Sequence, residues 1–282
     1  MSITLSTNSY GKSAVRLVKV VRDGGRHEIR EFTVDVALEG AFEEAHTRGD
    51  NSVVLPTDTM KNTVYAKASE MRLGEPEDFA LVLAERFLRV SQATSMASIT
   101  ITEHGWRRLD VAGAQHGHAF ERAGGEVRVA RVSLTRGAAP IISAGIDELL
   151  ILKSGRSAFS GYPRDEYTTL RETDDRILAT SISTRWRYDA GATDFGGHFS
   201  SVRQALLETF ADHDSKSVQH TLYAMAEAAL RRCQAANEIS ITMPNKHHLL
   251  VDLAPLGLEN ANEIFVPTSE PFGLIQATVK RQ

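Results

Sequence analysis

The sequence predicts an α+β protein in which one structural unit is written twice, and three observations carry that prediction. The order strand-strand-helix-helix-strand-strand runs once on each side of a boundary near Gly137 to Pro140. The extended stretches alternate: Phe32, Val34, Val36 and Leu38 lie on one face, Thr33, Asp35 and Ala37 on the other. Between strand pairs, apolar residues recur at helical spacing. Sequential antiparallel strands with a helix pair on one face form a layered α+β domain. The predicted domains are therefore residues 1–137 and 138–282.

In the first half, extended segments over Ser13 to Val21 and His27 to Leu38 flank a turn at Gly24-Gly25. One helix follows Pro56, from about Asp58 to Ala68. A second begins near Glu75-Pro76 and gathers Ala80, Leu83, Ala84, Phe87 and Leu88 on one face. Strands over Met96 to Thr102 and Val127 to Leu134 close the half. The second half repeats the scheme with strands over Ile146 to Leu152 and Ile177 to Tyr188. Its first helix lines up Phe199, Val202, Leu206 and Phe210, its second Val218, Leu222, Met225 and Ala229. Its last two strands are read at Ile239, Ile241, Met243 and at Leu249, Val251, Leu253.

Composition narrows the function classes. An apolar fraction of 42% with 24% charged residues is that of an ordinary globular protein. No apolar run reaches the roughly 18 residues of a membrane-crossing helix. A net charge of -4 gives no footprint for nucleic acid. Met1 to Tyr10 lacks the basic start and apolar run of a signal peptide. The C-terminal Val279-Lys280-Arg281-Gln282 is not the Ser-Lys-Leu peroxisomal address, so the expected compartment is the cytoplasm. The single cysteine, Cys233, cannot form an internal disulfide. Its place at the end of a helical pattern marks it as a packing residue or an idle one.

Candidate chemistry sits first at two helix starts in equivalent places. Thr57-Asp58-Thr59 after Pro56 and Ser217-Val218-Gln219 after Asp214 both read as N-caps. The first N–H groups of a helix lack partners and carry partial positive charge, which seats an anion. Two ordinary capped helices would read the same way. Lys12 at the first strand start reads more readily as a solvated edge charge that discourages strand pairing. Asn245-Lys246-His247-His248 interrupts the last hairpin. His116 and His118 suggest a metal, but no third ligand stands at a recognisable spacing, and the pair reads as loop composition. Phosphate loops and a Gly-x-Ser-x-Gly elbow do not occur.

At these residues the sequence resembles the urate oxidase (uricase) family. The matching blocks are Asn8-Ser9-Tyr10-Gly11-Lys12, Thr57 to Thr63, Phe159 with Arg164 to Leu170 and Arg176, Ser217 to Thr221 with Tyr223, and Pro244 to His247. They follow family order across nearly the whole chain. Residues from Ser95 to Glu126 are the least family-like.

The resemblance implies two tandem tunnelling-fold (T-fold) domains, each an antiparallel four-stranded sheet with a helix pair on one face. It implies a homotetramer with active sites at subunit interfaces, urate and molecular oxygen as substrates, and neither cofactor nor metal. Arg176 and Gln219 would clamp the purine and Phe159 would stack on it. The N–H groups of Val218 and Asp58 would add donors, with Thr57 and Asp58 supplied by the neighbouring subunit. Lys12 and Thr57 would form the catalytic dyad, extended by His247 as a proton relay. A hydroxyl is a poor base alone, so a lysine of lowered pKa must take its proton. Asn245 and Thr57 would hold oxygen, peroxide and the attacking water. Two other readings stand beside this one: a zinc-dependent T-fold enzyme acting on a pterin or purine, and a non-catalytic purine-binding protein on the same scaffold.

Overall fold

A computed structural model describes residues 3–282; Met1 and Ser2, part of the polar N-terminal stretch, lie outside the described residues. The chain forms two compact units. One comprises the residues up to Gly145 together with Arg187–Gly196; the other comprises Ile146–Trp186 and Gly197–Gln282.

The first unit opens with β1 (Tyr10–Asp23) and β2 (Arg26–Gly40), joined through Gly24 and Gly25. Both glycines have positive φ, which the tight turn requires and a side chain would resist. A single-turn helix α1 (Glu43–Thr47) precedes α2 (Thr57–Glu70) and α3 (Pro76–Val90). Then come β3 (Thr94–Glu103), the hairpin β4 (Trp106–Val111) and β5 (Ala114–Arg122), and β6 (Val127–Thr135). The strand order is β1-β2-β3-β6, with antiparallel pairings throughout.

The alternation of β2 does what its sequence predicts. Phe32, Val34, Val36 and Leu38 are buried, and they pack in one core with Met60, Val64 and Ala68 of α2. Phe79, Leu83 and Phe87 of α3 complete that layer. Burying each such side chain contributes about 1.5–3 kcal/mol, and this core orients both helices over the sheet.

The hairpin β4–β5 has no counterpart in the predicted elements. Glu31, buried to 3% exposure on the other face of β2, anchors it. Trp106 Nε1 donates to Glu31 at 2.7 Å, Arg122 pairs with it at 3.1 Å, and Arg16 of β1 donates as well. Burial alone would raise the Glu31 pKa, but donation from Arg16 and Trp106 holds its carboxyl below the usual range. His116 and His118 therefore lie on a strand, not in a loop. Among the described residues no group of three His, Cys, Asp or Glu is placed to hold a metal ion.

The second unit holds most of β7 (Ile141–Lys153), β8 (Leu178–Tyr188) and α4 (Phe195–Asp212), and all of α5 (Val218–Arg232) and β9 (Ala236–Asn245). A short ladder of β10 (His248–Leu250) and β11 (Phe265–Pro267) follows, then β12 (Gly273–Lys280). The strand order is β7-β8-β9-β12. Val218, Leu222, Met225 and Ala229 of α5 are buried, as are Ile239, Ile241 and Met243 of β9. Cys233 is also buried, at the C-cap of α5.

The last strand departs from the prediction. Leu249, Val251 and Leu253 do not form the fourth strand, and Leu249 is 54% exposed. The Lys246 N–H donates to the Ala179 carbonyl of β8 at 2.9 Å, one residue past the end of β9. β12 takes the place instead, pairing antiparallel with β9 from Gly273↔Asn245 to Lys280↔Glu238. The segment Asn245 to His248 thus leads into a side ladder and does not interrupt a hairpin. Among the described residues no helix is long and apolar enough to cross a membrane.

Candidate active site

Lys12 is fixed by the local geometry of β1. Tyr10, Gly11 and Lys12 pair with Leu38, Ala37 and Val36, and the register then slips so that Val15 faces Val34. The slip is a bulge in which Ala14 has φ 56°, and the Ala14 N–H donates to Asp35 Oδ1 at 2.8 Å. Bulges redirect the side chains beside them, and this one follows Lys12 immediately. Gly11 permits the close pairing: a Cβ there would lie 1.8 Å from the Val36 carbonyl oxygen.

The start of α2 belongs to the same unit. Pro56 occupies the N-cap position with no side-chain cap hydrogen bond, so Thr57 is the first helical residue. This corrects the reading of Thr57-Asp58-Thr59 as a capping segment. The first helical bond runs from the Met60 N–H to the Pro56 carbonyl at 3.1 Å. The N–H groups of Thr57, Asp58 and Thr59 precede it and point out of the helix end. The Asp58 carboxylate accepts from Lys61 and Asn62. The Lys61 hydrogen bond and charge hold its pKa below the usual range, and Lys12 adds a smaller pull in the same direction. With its carboxylate engaged, Asp58 offers a ligand its backbone N–H.

In the second unit, Ser217 is a true N-cap: its Oγ accepts the His220 N–H at 3.1 Å. Val218 and Gln219 are the first helical residues, with Val218 buried and Gln219 exposed. A strap crosses this helix start. Ser157 and Ser215 form a parallel bridge, with the Ala158 N–H donating to the Ser215 carbonyl at 2.8 Å and the Ser215 N–H to the Arg156 carbonyl at 3.0 Å. Phe159 continues the strap and bridges Thr173 in both directions, at 2.8 and 3.1 Å. Its ring stacks on Tyr162 at 4.9 Å.

Arg176 completes this cluster. Its guanidinium lies over the Phe159 ring, with Cζ 5.3 Å from the centroid. Its Nε is buried without a hydrogen-bond partner, and burial alone lowers its pKa, with no acidic group offsetting it. A half-buried arginine whose buried Nε has no acceptor gains from an anion that arrives to pair with it. The Lys246–Ala179 bond sets Asn245 and His247 beside the strand that follows Arg176. The Asn245 amide and His247 Nδ1 stand 3.5 Å apart.

Lys12, Thr57 and Asp58 thus lie in the first unit, and Phe159, Arg176, Val218, Gln219, Asn245 and His247 in the second. Three supporting residues escape sequence reading. Asp35 shows only as a polar residue within an alternating strand, Ser215 as one serine of a polar turn, and Tyr10 as an aromatic neighbour of Lys12.

Two runs of four strands, β1-β2-β3-β6 and β7-β8-β9-β12, each with a helix pair, define a tandem T-fold protein of the α+β class. The uricase family model matches residues 8–133 and 142–276. The uricase of Arthrobacter globiformis is 45% identical over 280 residues, covering 99% of this chain and 91% of that protein. The uricase of Dictyostelium discoideum is 36% identical over 281 residues, covering 99% and 98%. The crystal structure of the Arthrobacter globiformis uricase matches with a TM-score of 0.96 at 44% identity, over 100% of this chain and 96% of that one. The chain belongs to the uricase family.

Proposed function

We propose that the chain oxidises urate with molecular oxygen and water to 5-hydroxyisourate and hydrogen peroxide, without a cofactor, as a step in purine degradation. Family membership supports the reaction, and the observation that carries it to the site is Arg176. A half-buried arginine whose Nε is buried and unpartnered, its guanidinium laid over an aromatic ring, suits a planar anion. In this reading Arg176 and Gln219 clamp urate by its edges, Phe159 stacks on its face, and the Val218 and Asp58 N–H groups add donors. Two electrons pass from the urate dianion to oxygen, and water then supplies the hydroxyl of the product. Lys12 and Thr57 remove the proton, with His247 as relay. Asn245 and Thr57 hold oxygen, peroxide and the incoming water.

The site is split, so the reading includes assembly. Thr57 and Asp58 of one subunit complete the cluster of Phe159, Arg176 and Gln219 on a neighbour, in a cytoplasmic homotetramer of two-domain chains divided at 137/138. Open edges at β1 and β12 support this, since unpaired edge strands invite a second copy. The deciding measurement is urate absorbance followed with peroxide yield, in protein stripped of metal and flavin. One peroxide per urate with no additive is expected. Activity only after adding a metal ion would favour the zinc-enzyme reading, and urate binding without oxidation would favour the non-catalytic one.

A further inference from the structure

The Tyr10 side chain joins the two elements that carry Lys12 and Thr57. Tyr10 stands two residues before Lys12 on β1, and its phenol oxygen accepts the Leu55 N–H at 2.9 Å, across 45 positions of sequence. Leu55 stands two residues before Thr57, with only Pro56 between them.

Both ends of this strut are stiff. On the strand side, Tyr10, Gly11 and Lys12 are paired in register with β2, and the close packing of Gly11 on the Val36 carbonyl leaves little room to slide. The Tyr10 ring is held edge-on against the buried Phe42, with centroids 4.8 Å apart and planes at 84°. On the helix side, Pro56 has a ring-restricted φ of -57°, so a shift at Leu55 passes directly to Thr57. Burial raises the Tyr10 pKa, partly offset by the Leu55 N–H, so the hydroxyl stays protonated at neutral pH.

We propose that Tyr10 is a positioning residue for proton transfer: its hydroxyl, by accepting the Leu55 N–H, sets the first turn of α2 at a fixed distance from Lys12. It touches neither substrate nor oxygen. The proposal rests on the reading of Lys12 and Thr57 as the dyad. A general base acts only at hydrogen-bond reach, and a misplacement of about 1 Å can cost about a hundredfold in rate. The helix start uses no side-chain cap, so the Tyr10 bond, made to the residue before the cap position, is the tether that ties this segment to β1.

Tyr10→Phe keeps the ring and its contact with Phe42 and removes only the acceptor. The expected result is a fall in kcat of about tenfold or more, with KM for urate and the binding of a non-oxidisable purine analogue within about twofold of the parent. Amide exchange should quicken at Leu55 and the first turn of α2 and stay unchanged in α3 and α5. Unchanged kcat in Tyr10→Phe, beside an inactive Lys12→Met, overturns the positioning role and leaves the dyad intact. An active Lys12→Met overturns the dyad and this proposal together. A loss spread equally over kcat, analogue affinity and exchange throughout the unit means general loosening, and also overturns it. Exchange of the Leu55 amide in the parent protein provides a check that needs no variant. Strong protection is expected, and exchange as fast as that of an open loop overturns the proposal.

Discussion

The starts of α2 and α5 occupy equivalent places in the two units and are built in opposite ways. At α5 the Ser217 hydroxyl is spent on the helix, accepting the His220 N–H. At α2 the cap position belongs to Pro56, which has no side-chain acceptor, and the hydroxyl moves one place into the helix at Thr57. The helix therefore makes no demand on the Thr57 hydroxyl. One duplicated element thus offers two chemistries. The α5 start gives a ligand backbone donors and the Gln219 amide, and the α2 start gives backbone donors plus a hydroxyl that the helix does not use. In the proposed reading the difference gives the α5 start to binding and adds proton transfer at the α2 start.

The sharpest way to break that division is to remove each unit's charge in turn. Lys12→Met should lower kcat by about a hundredfold or more, since a general base contributes about 10²–10⁴. Affinity for a purine analogue should hold. Equal losses in turnover and affinity would put Lys12 among the binding groups. Arg176→Ala should do the reverse and weaken analogue binding by about tenfold to a hundredfold, the worth of a hydrogen bond to a charged group. Isothermal titration of both variants with one analogue separates the cases. If Arg176→Ala binds as well as the parent, its unpartnered Nε has nothing to do with the ligand.

Much of the fold is legible because its signal is periodic. Phe32 to Leu38 declare their buried face by alternation, and Val218, Leu222, Met225 and Ala229 declare theirs by helical spacing. The hairpin β4–β5 is not legible, because its few apolar residues do not alternate and it is held by long-range polar contacts, to the buried Glu31 carboxylate and from Arg108 to the His27 carbonyl. β12 is missed for a related reason. Leu249, Val251 and Leu253 alternate as well as β12 does, and which segment pairs with β9 is settled by pairing across a long insertion that local periodicity does not report. The site shows the same division. Spacing alone marks two helix starts, and motif resemblance names Lys12, Thr57, Phe159, Arg176, Gln219, Asn245 and His247. The Tyr10–Leu55 bond and the Asp35 hold on the Ala14 bulge lie beyond both, since each depends on residues far apart in sequence.

The smallest expected effect tests the comparison of helix starts most directly. Ser217→Ala removes a side-chain acceptor from a helix end and should cost about 1 kcal/mol of stability, the usual worth of an N-cap. Pro56→Ala removes no acceptor, so its cost should come only from the added freedom of the unfolded chain, about 0.4–1 kcal/mol. Denaturant midpoints alone will barely separate these figures, but their consequences differ in kind. Freeing the Ser217 cap should fray the α5 start and weaken analogue binding with kcat held, because Val218 and Gln219 lose their placement. Loosening Pro56 should lower kcat with binding held, because Thr57 moves relative to Lys12. If both variants shift the same parameter, the two starts do the same job and the division between the units is wrong.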